Sequence, residues 1–183
     1  MDLYDAVMKR RSIRKYKSDD VPPDVLERVL DAARWAPSWA NVQATRWIVV
    51  RDAEIKAKLA EALTPGNPST KAMTDAPIVL ALCHEKRLSG YYKDNQVTTI
   101  TDFGLFDAGL AAANLTLAAQ AEGLGTVHVA AMNLELAADI LAVPEDVQLV
   151  ELIPLGYPAK EGFPTNRRES DQLISYDQYG KKS

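Results

Sequence analysis

Residues 103–121, FGLFDAGLAAANLTLAAQA, are the longest apolar-rich stretch of the chain. Apolar side chains fall on nearly every side of a 3.6-residue turn. A helix running from about Thr101 to Ala121 therefore has to lie through the centre of a fold or through an interface between copies of the chain. Asp107, Asn114, Gln120 and two glycines within it argue against a membrane span.

The rest of the chain alternates helical and strand patterns around this segment. Asp2 caps a short first helix, and Leu26, Val29, Leu30 and Ala33 mark a second that Pro37 stops. Trp47–Val50 reads as a short strand, and Asp52 caps a helix carrying Ile55, Leu59 and Leu63 that ends at Pro65-Gly66-Asn67-Pro68. Ile78–Cys83 is continuously apolar, as for a strand covered on both faces, and His84 to Gln96 reads as an exposed loop or lid. After the long helix, Thr126–Ala131 reads as a buried strand, Asn133 caps a helix stopped by Pro144, and Val147–Leu155 is the last core strand. This pattern predicts an α+β fold, a mixed central sheet flanked by helices, in one domain spanning residues 1–183. The polar tail beyond Ala159 has little to bury in its own domain and is expected to lie over another surface.

With 183 residues, 47% hydrophobic and 25% charged, the chain has the size and composition of a single folding unit. Its one cysteine, Cys83, sits in an apolar run, which predicts a buried thiol in a reducing compartment. No apolar leader precedes the first basic residues, so a cytoplasmic location is expected. Two histidines and one cysteine are too few for a structural zinc site, and no metal is expected.

Positive charge is concentrated. Six of the nine residues from Lys9 to Lys17 are basic and none is acidic; with a net charge of −4 overall and +6 in this window, the rest of the chain carries −10. Such a distribution suits a small anion better than a nucleic acid, which the remaining surface would repel. The fork-shaped donors of Arg10, Arg11 and Arg14, with the hydroxyl of Ser12, match phosphate oxygens. A second polar segment, APSWANVQ at 36–43, combines Pro37, which fixes the backbone, with donors and acceptors on Ser38, Asn41 and Gln43 suited to the edge of a planar heterocycle. A solvated basic helix end and an ordinary polar loop are the alternative readings of these two segments. Gly123-Leu124-Gly125 is too short for the glycine-rich dinucleotide fingerprint, and Asp107 and Asn114 read as buried polar groups satisfied by nearby backbone.

Four landmarks occur in order: RRSIR at 10–14, APSxxNxQ at 36–43, DAGLAAANLTLAAQAEGLGT at 107–126, and GYP at 156–158 followed by Arg167-Arg168. Together they resemble the nitroreductase family of FMN-dependent oxidoreductases. The resemblance implies a homodimer with two FMN sites at the subunit interface and a C-terminal tail extending over the partner subunit. It implies that Arg10, Ser12 and one of Arg167 or Arg168 hold the phosphate, with Arg11 nearby and Arg14 toward the N1/C2=O side of the ring. Pro37, Ser38, Asn41 and Gln43 would reach the flavin from the other protomer or across the ring edge, and Leu124 and Gly125 would approach by backbone. The implied activity is NAD(P)H-dependent reduction of nitroaromatics, quinones or similar small acceptors by a ping-pong mechanism. The flavin carries the chemistry, so no catalytic side chain is required.

Two departures from the family pattern stand near the ring: Trp39-Ala40 where Gly-Gly is frequent, and Gln43-Ala44-Thr45 where Gln-Pro-Trp is frequent. They leave open other reactions of the same flavin fold, such as dehalogenation, flavin fragmentation or ring oxidation, and a non-catalytic flavin-binding module.

Overall fold

The computed structural model describes residues 1–100 and 102–182. Seven helices, α1 (Leu3–Lys9), α2 (Pro23–Arg34), α3 (Ala53–Glu61), α4 (Thr70–Asp75), α5 (Phe103–Ala121), α6 (Leu134–Ile140) and α7 (Ser170–Leu173), accompany six strands among these residues. The strands are β1 (Thr45–Val50), β2 (Ile78–Glu85), β3 (Tyr91–Tyr92), β4 (Asn95–Gln96), β5 (Gly125–Thr126) and β6 (Val147–Gly156).

The central sheet has the order β1-β2-β6-β5, and each neighbouring pair is antiparallel. What makes it mixed is a parallel bridge, Ser12 to Thr126, that brings the basic segment onto the outer edge of β5. β2 sorts its side chains by the two-residue period of a strand. Ile78, Leu80 and Leu82 join Ile153, Leu155 and the apolar faces of α2 and α5, whereas Val79, Ala81 and Cys83 pack toward α3, α4 and α6. Cys83 is buried, and burial pushes its thiol up to about 11.

Asp2, Asp52 and Asn133 each accept a hydrogen bond from the backbone N–H three residues on, as expected of N-caps. α5 begins at Phe103, capped by Asp102, and Thr101 lies outside the described residues. The helix is not covered all round. Ala108, Ala112, Leu115 and Ala119 face the core, while Leu105, Phe106, Gly109 and Ala113 are exposed. α1 packs beside it and leaves Leu3, Tyr4, Val7 and Met8 exposed, so the two helices share one apolar surface.

Three local expectations are corrected. Thr126–Ala131 is not a continuous strand: β5 holds only Gly125–Thr126, and Val129 makes an isolated bridge to Leu152. His84 is not in an exposed loop; it lies within β2, one residue before its end, and is buried, because Gly104 leaves room for its ring. A Cβ at Gly104 would sit 2.3 Å from His84 Nδ1. Finally, α4 stands in a region where no element was expected, held by the burial of Ala72 and Met73.

Candidate functional site

The basic segment after α1 is held to the sheet edge by its backbone. After α1 the chain runs extended along the sheet edge: Ile13 N–H donates to Thr126 O (2.9 Å), Lys17 N–H to Tyr157 O (2.9 Å) and Ala159 N–H to Lys15 O (2.9 Å). Ile13 and Tyr16 are the buried residues of the run, and the Tyr16 hydroxyl lies 2.7 Å from Ile13 O. Gly125 is required here, since a Cβ would meet Ile13 at 2.6 Å. Burying these two residues turns Arg14 and Lys15 outward.

Arg10 caps the end of α1 and is the decisive residue. Its Nη1 is buried without a hydrogen-bond partner among the described residues. Its acidity is raised first by desolvation and then by the positive charges of Arg11 and Arg167. A buried donor without an acceptor, in the field of two further cations, is a costly arrangement that a bound anion relieves. Arg11 donates through Nη1 to Met8 O and Arg10 O, both at 2.7 Å, which ties it to the end of α1. Of the two tail arginines, Arg167 is the one whose charge reaches Arg10; its own Nη1 also donates to Thr165 Oγ1 at 2.6 Å. Arg11, Leu124, Gln120 and Gly162 border one cavity of about 470 Å³, and Ser12, Arg14 and Phe163 border an adjoining one of about 230 Å³.

Arg14 donates from Nε to Ser69 Oγ (3.3 Å), and Ser69 N–H in turn donates to Asn67 Oδ1 (2.9 Å). The sequence reading did not pick out Ser69 and Asn67. They lie in a breaker cluster, and only the folded chain brings them to Arg14.

The loop at 36–43 is built differently. Ala40, Asn41 and Gln43 all have positive φ (44°, 56° and 54°), a conformation that non-glycine residues hold only under constraint. The constraint is visible: Asn41 N–H donates to Ser38 O (3.0 Å), Val42 N–H to Trp39 O (2.9 Å) and Gln43 N–H to Ser38 Oγ (3.0 Å). Trp39 N–H points at both carboxyl oxygens of Asp107, 3.1 Å from each, and Asp107 is 1% exposed. Asp107 is therefore a satisfied buried group, while Asn114 is half-buried and donates to Ala32 O (3.2 Å). Pro37, Ser38, Gln43, Thr45 and Asp107 border a cavity of about 350 Å³; Asn41 is exposed.

The predicted site residues thus form two groups at opposite ends of α5. Asp107 anchors one and Gln120 borders the other, thirteen residues apart, or about 20 Å along the axis at 1.5 Å per residue.

A sequence model of the nitroreductase family matches residues 7–73 and 65–157, most of the chain. The chain belongs to the nitroreductase family. Among this family's members, a protein of Methanothermobacter thermautotrophicus, provisionally named NADH dehydrogenase/NAD(P)H nitroreductase, is 34% identical over 177 residues, covering 94% of this chain and 86% of the relative. The FMN reductase [NAD(P)H] of Bacillus subtilis is 29% identical over 189 residues, covering 97% and 74%. The crystal structure of a nitroreductase family protein from Clostridium novyi superposes with a TM-score of 0.79 at 26% identity, covering 99% of this chain and 96% of that one. No helix of this nitroreductase family member is long and apolar enough to cross a membrane, among the described residues.

Proposed function

We propose that the chain is a homodimeric, cytoplasmic FMN-dependent oxidoreductase that uses NAD(P)H to reduce nitroaromatics, quinones or similar electron-poor acceptors. The observation that carries the reading is the buried, unpartnered guanidinium donor of Arg10 beside Arg11 and Arg167. This donor set fits a phosphate monoester: two negative charges meet three cations, and the Ser12 hydroxyl adds a fourth kind of contact. The relatives named for FMN and NAD(P)H support the choice of cofactor and reductant.

In this reading Arg10, Ser12 and Arg167 hold the phosphate, Arg11 buttresses Arg10, and Arg168 lies on the approach. Leu124 and Gly125 meet the ring through backbone, and Arg14, steadied by Ser69, brings a cation to its electron-rich edge. Bound FMN supplies the redox chemistry, taking up and releasing a hydride equivalent.

Within one chain the 36–43 loop stands at the Asp107 end of α5 and the phosphate cradle at the Gln120 end, two levels about 20 Å apart along the helix axis. A two-fold arrangement of two chains across the exposed face of α5 brings the 36–43 loop of one to the cradle of the other. The exposed apolar surface of α5 and α1 supports that arrangement, since monomers rarely leave so much contiguous apolar area to solvent. The tail carries exposed Leu173, Ile174, Tyr176 and Tyr179 and would extend over the second copy.

The test is to titrate the purified protein with FMN. The expected result is a yellow dimer holding one FMN per subunit whose flavin absorbance is bleached by NADH or NADPH and restored by a quinone. Failure to take up FMN overturns the reading; bound FMN that neither nucleotide bleaches points to a non-catalytic flavin module.

A further inference from the structure

We propose that Asp107 is a positioning residue, whose buried carboxyl group fixes the 36–43 loop to the root of the 91–96 hairpin and thereby shapes the acceptor side of the site. For its functional consequence the inference rests on the FMN-oxidoreductase reading above; its structural part stands on the hydrogen bonds alone. Asp107 is the one acidic residue of α5, an otherwise apolar helix, and it makes three contacts with two separate segments. Trp39 N–H approaches both oxygens at 3.1 Å, and the Ser89 hydroxyl donates to Oδ2 at 2.6 Å. Ser89 is itself buried and stands two residues before β3, where the hairpin begins.

The loop needs such an anchor. Ala40 stands where a glycine would be unstrained, and with Asn41 and Gln43 it holds three positive-φ positions within four residues, a local cost of roughly 1–3 kcal/mol each. Hydrogen bonds within the loop close its turns, Arg46 Nη1 holds Gln43 O at its β1 end, and the Trp39 N–H to Asp107 contact ties its middle to α5. Because Ser89 shares the same carboxyl group, a shift of the hairpin is transmitted to Trp39 and to the wall made by Pro37, Ser38, Gln43 and Thr45. Within one chain the phosphate cradle lies at the other end of α5, bordered by Gln120.

The experiment compares Asp107→Ala, Asp107→Asn and Ser89→Ala with the wild-type protein by hydrogen–deuterium exchange without flavin and by steady-state kinetics of the FMN-loaded enzyme with p-benzoquinone. In Asp107→Ala, exchange at residues 38–43 and 86–90 should accelerate about tenfold with β2 unchanged, and at saturating FMN the quinone KM should rise about tenfold with kcat within about twofold. Asp107→Asn keeps an oxygen for Trp39 N–H and should restore most of both effects. Ser89→Ala should shift both the same way by about two- to threefold, and it decides the matter should Asp107→Ala not fold. Wild-type exchange and KM in Asp107→Ala overturn the proposal. So does a uniform acceleration that runs through β2 with a parallel loss of kcat at saturating FMN, which is the mark of a merely structural residue. If the wild-type protein itself takes no FMN, the functional reading falls and the exchange data alone decide the anchoring.

Discussion

The two ends of α5 solve opposite problems. At its C-terminal end the backbone of residues 12–17 is unstrained and paired to the sheet edge, and one buried donor, Arg10 Nη1, lacks an acceptor in the field of Arg11 and Arg167. At its N-terminal end the backbone of residues 40–43 is strained, and the polar groups are satisfied by Ser38 and Asp107. On the proposed function, the first region draws affinity from a ligand's charge, and the second, whose hydrogen bonds are settled, contributes shape.

The largest perturbation of this contrast is to separate the two chains that the proposed dimer would bring together. Ala113 is exposed at the middle of α5, and Ala113→Arg places a bulky cation where two copies would meet. Analytical ultracentrifugation should show a monomer, and FMN should be lost although every cradle residue remains. Next in size, Arg10→Ala should weaken FMN binding by about a hundredfold, the scale of losing a buried charged hydrogen bond, as measured by flavin fluorescence titration. Arg11→Ala should weaken it by about tenfold or less, because Arg11 spends its Nη1 on Met8 O and Arg10 O. The smallest effect belongs to the strained end. Ala40→Gly relieves a positive φ and should raise stability to thermal unfolding by roughly 0–1 kcal/mol, with FMN affinity unchanged within about twofold. A large loss of FMN from Ala40→Gly would erase the division of labour.

Much of this was legible in the sequence where the physics is local. The caps at Asp2, Asp52 and Asn133, the doubly covered strand starting at Ile78 and the basic run after Lys9 each depend on neighbours within a few residues. The rest depended on contacts made at a distance. His84 is buried only because Gly104, twenty residues on, has no Cβ. α4 has too few residues to announce itself by periodicity and is fixed by the packing of Ala72 and Met73. The segment 126–131 has strand composition, yet it forms a short ladder and one bridge because β6 continues to pair with it only at Thr126 and Val129. Ser69 joins Arg14 across fifty-five positions, a relation no motif carries. For α5, the apolar pattern pointed to core or interface; one face packs in the core against β2 and β6, and the other is exposed.

The central claim is that the Arg10 cluster is a phosphate cradle, and comparing FMN with riboflavin tests it most directly, because the two ligands share the ring and differ in the phosphate. Titrated into the flavin-free protein, FMN should bind at least about a hundredfold more tightly than riboflavin, and Arg10→Ala should remove most of that difference. Equal affinities for the two ligands in the wild-type protein would contradict the account.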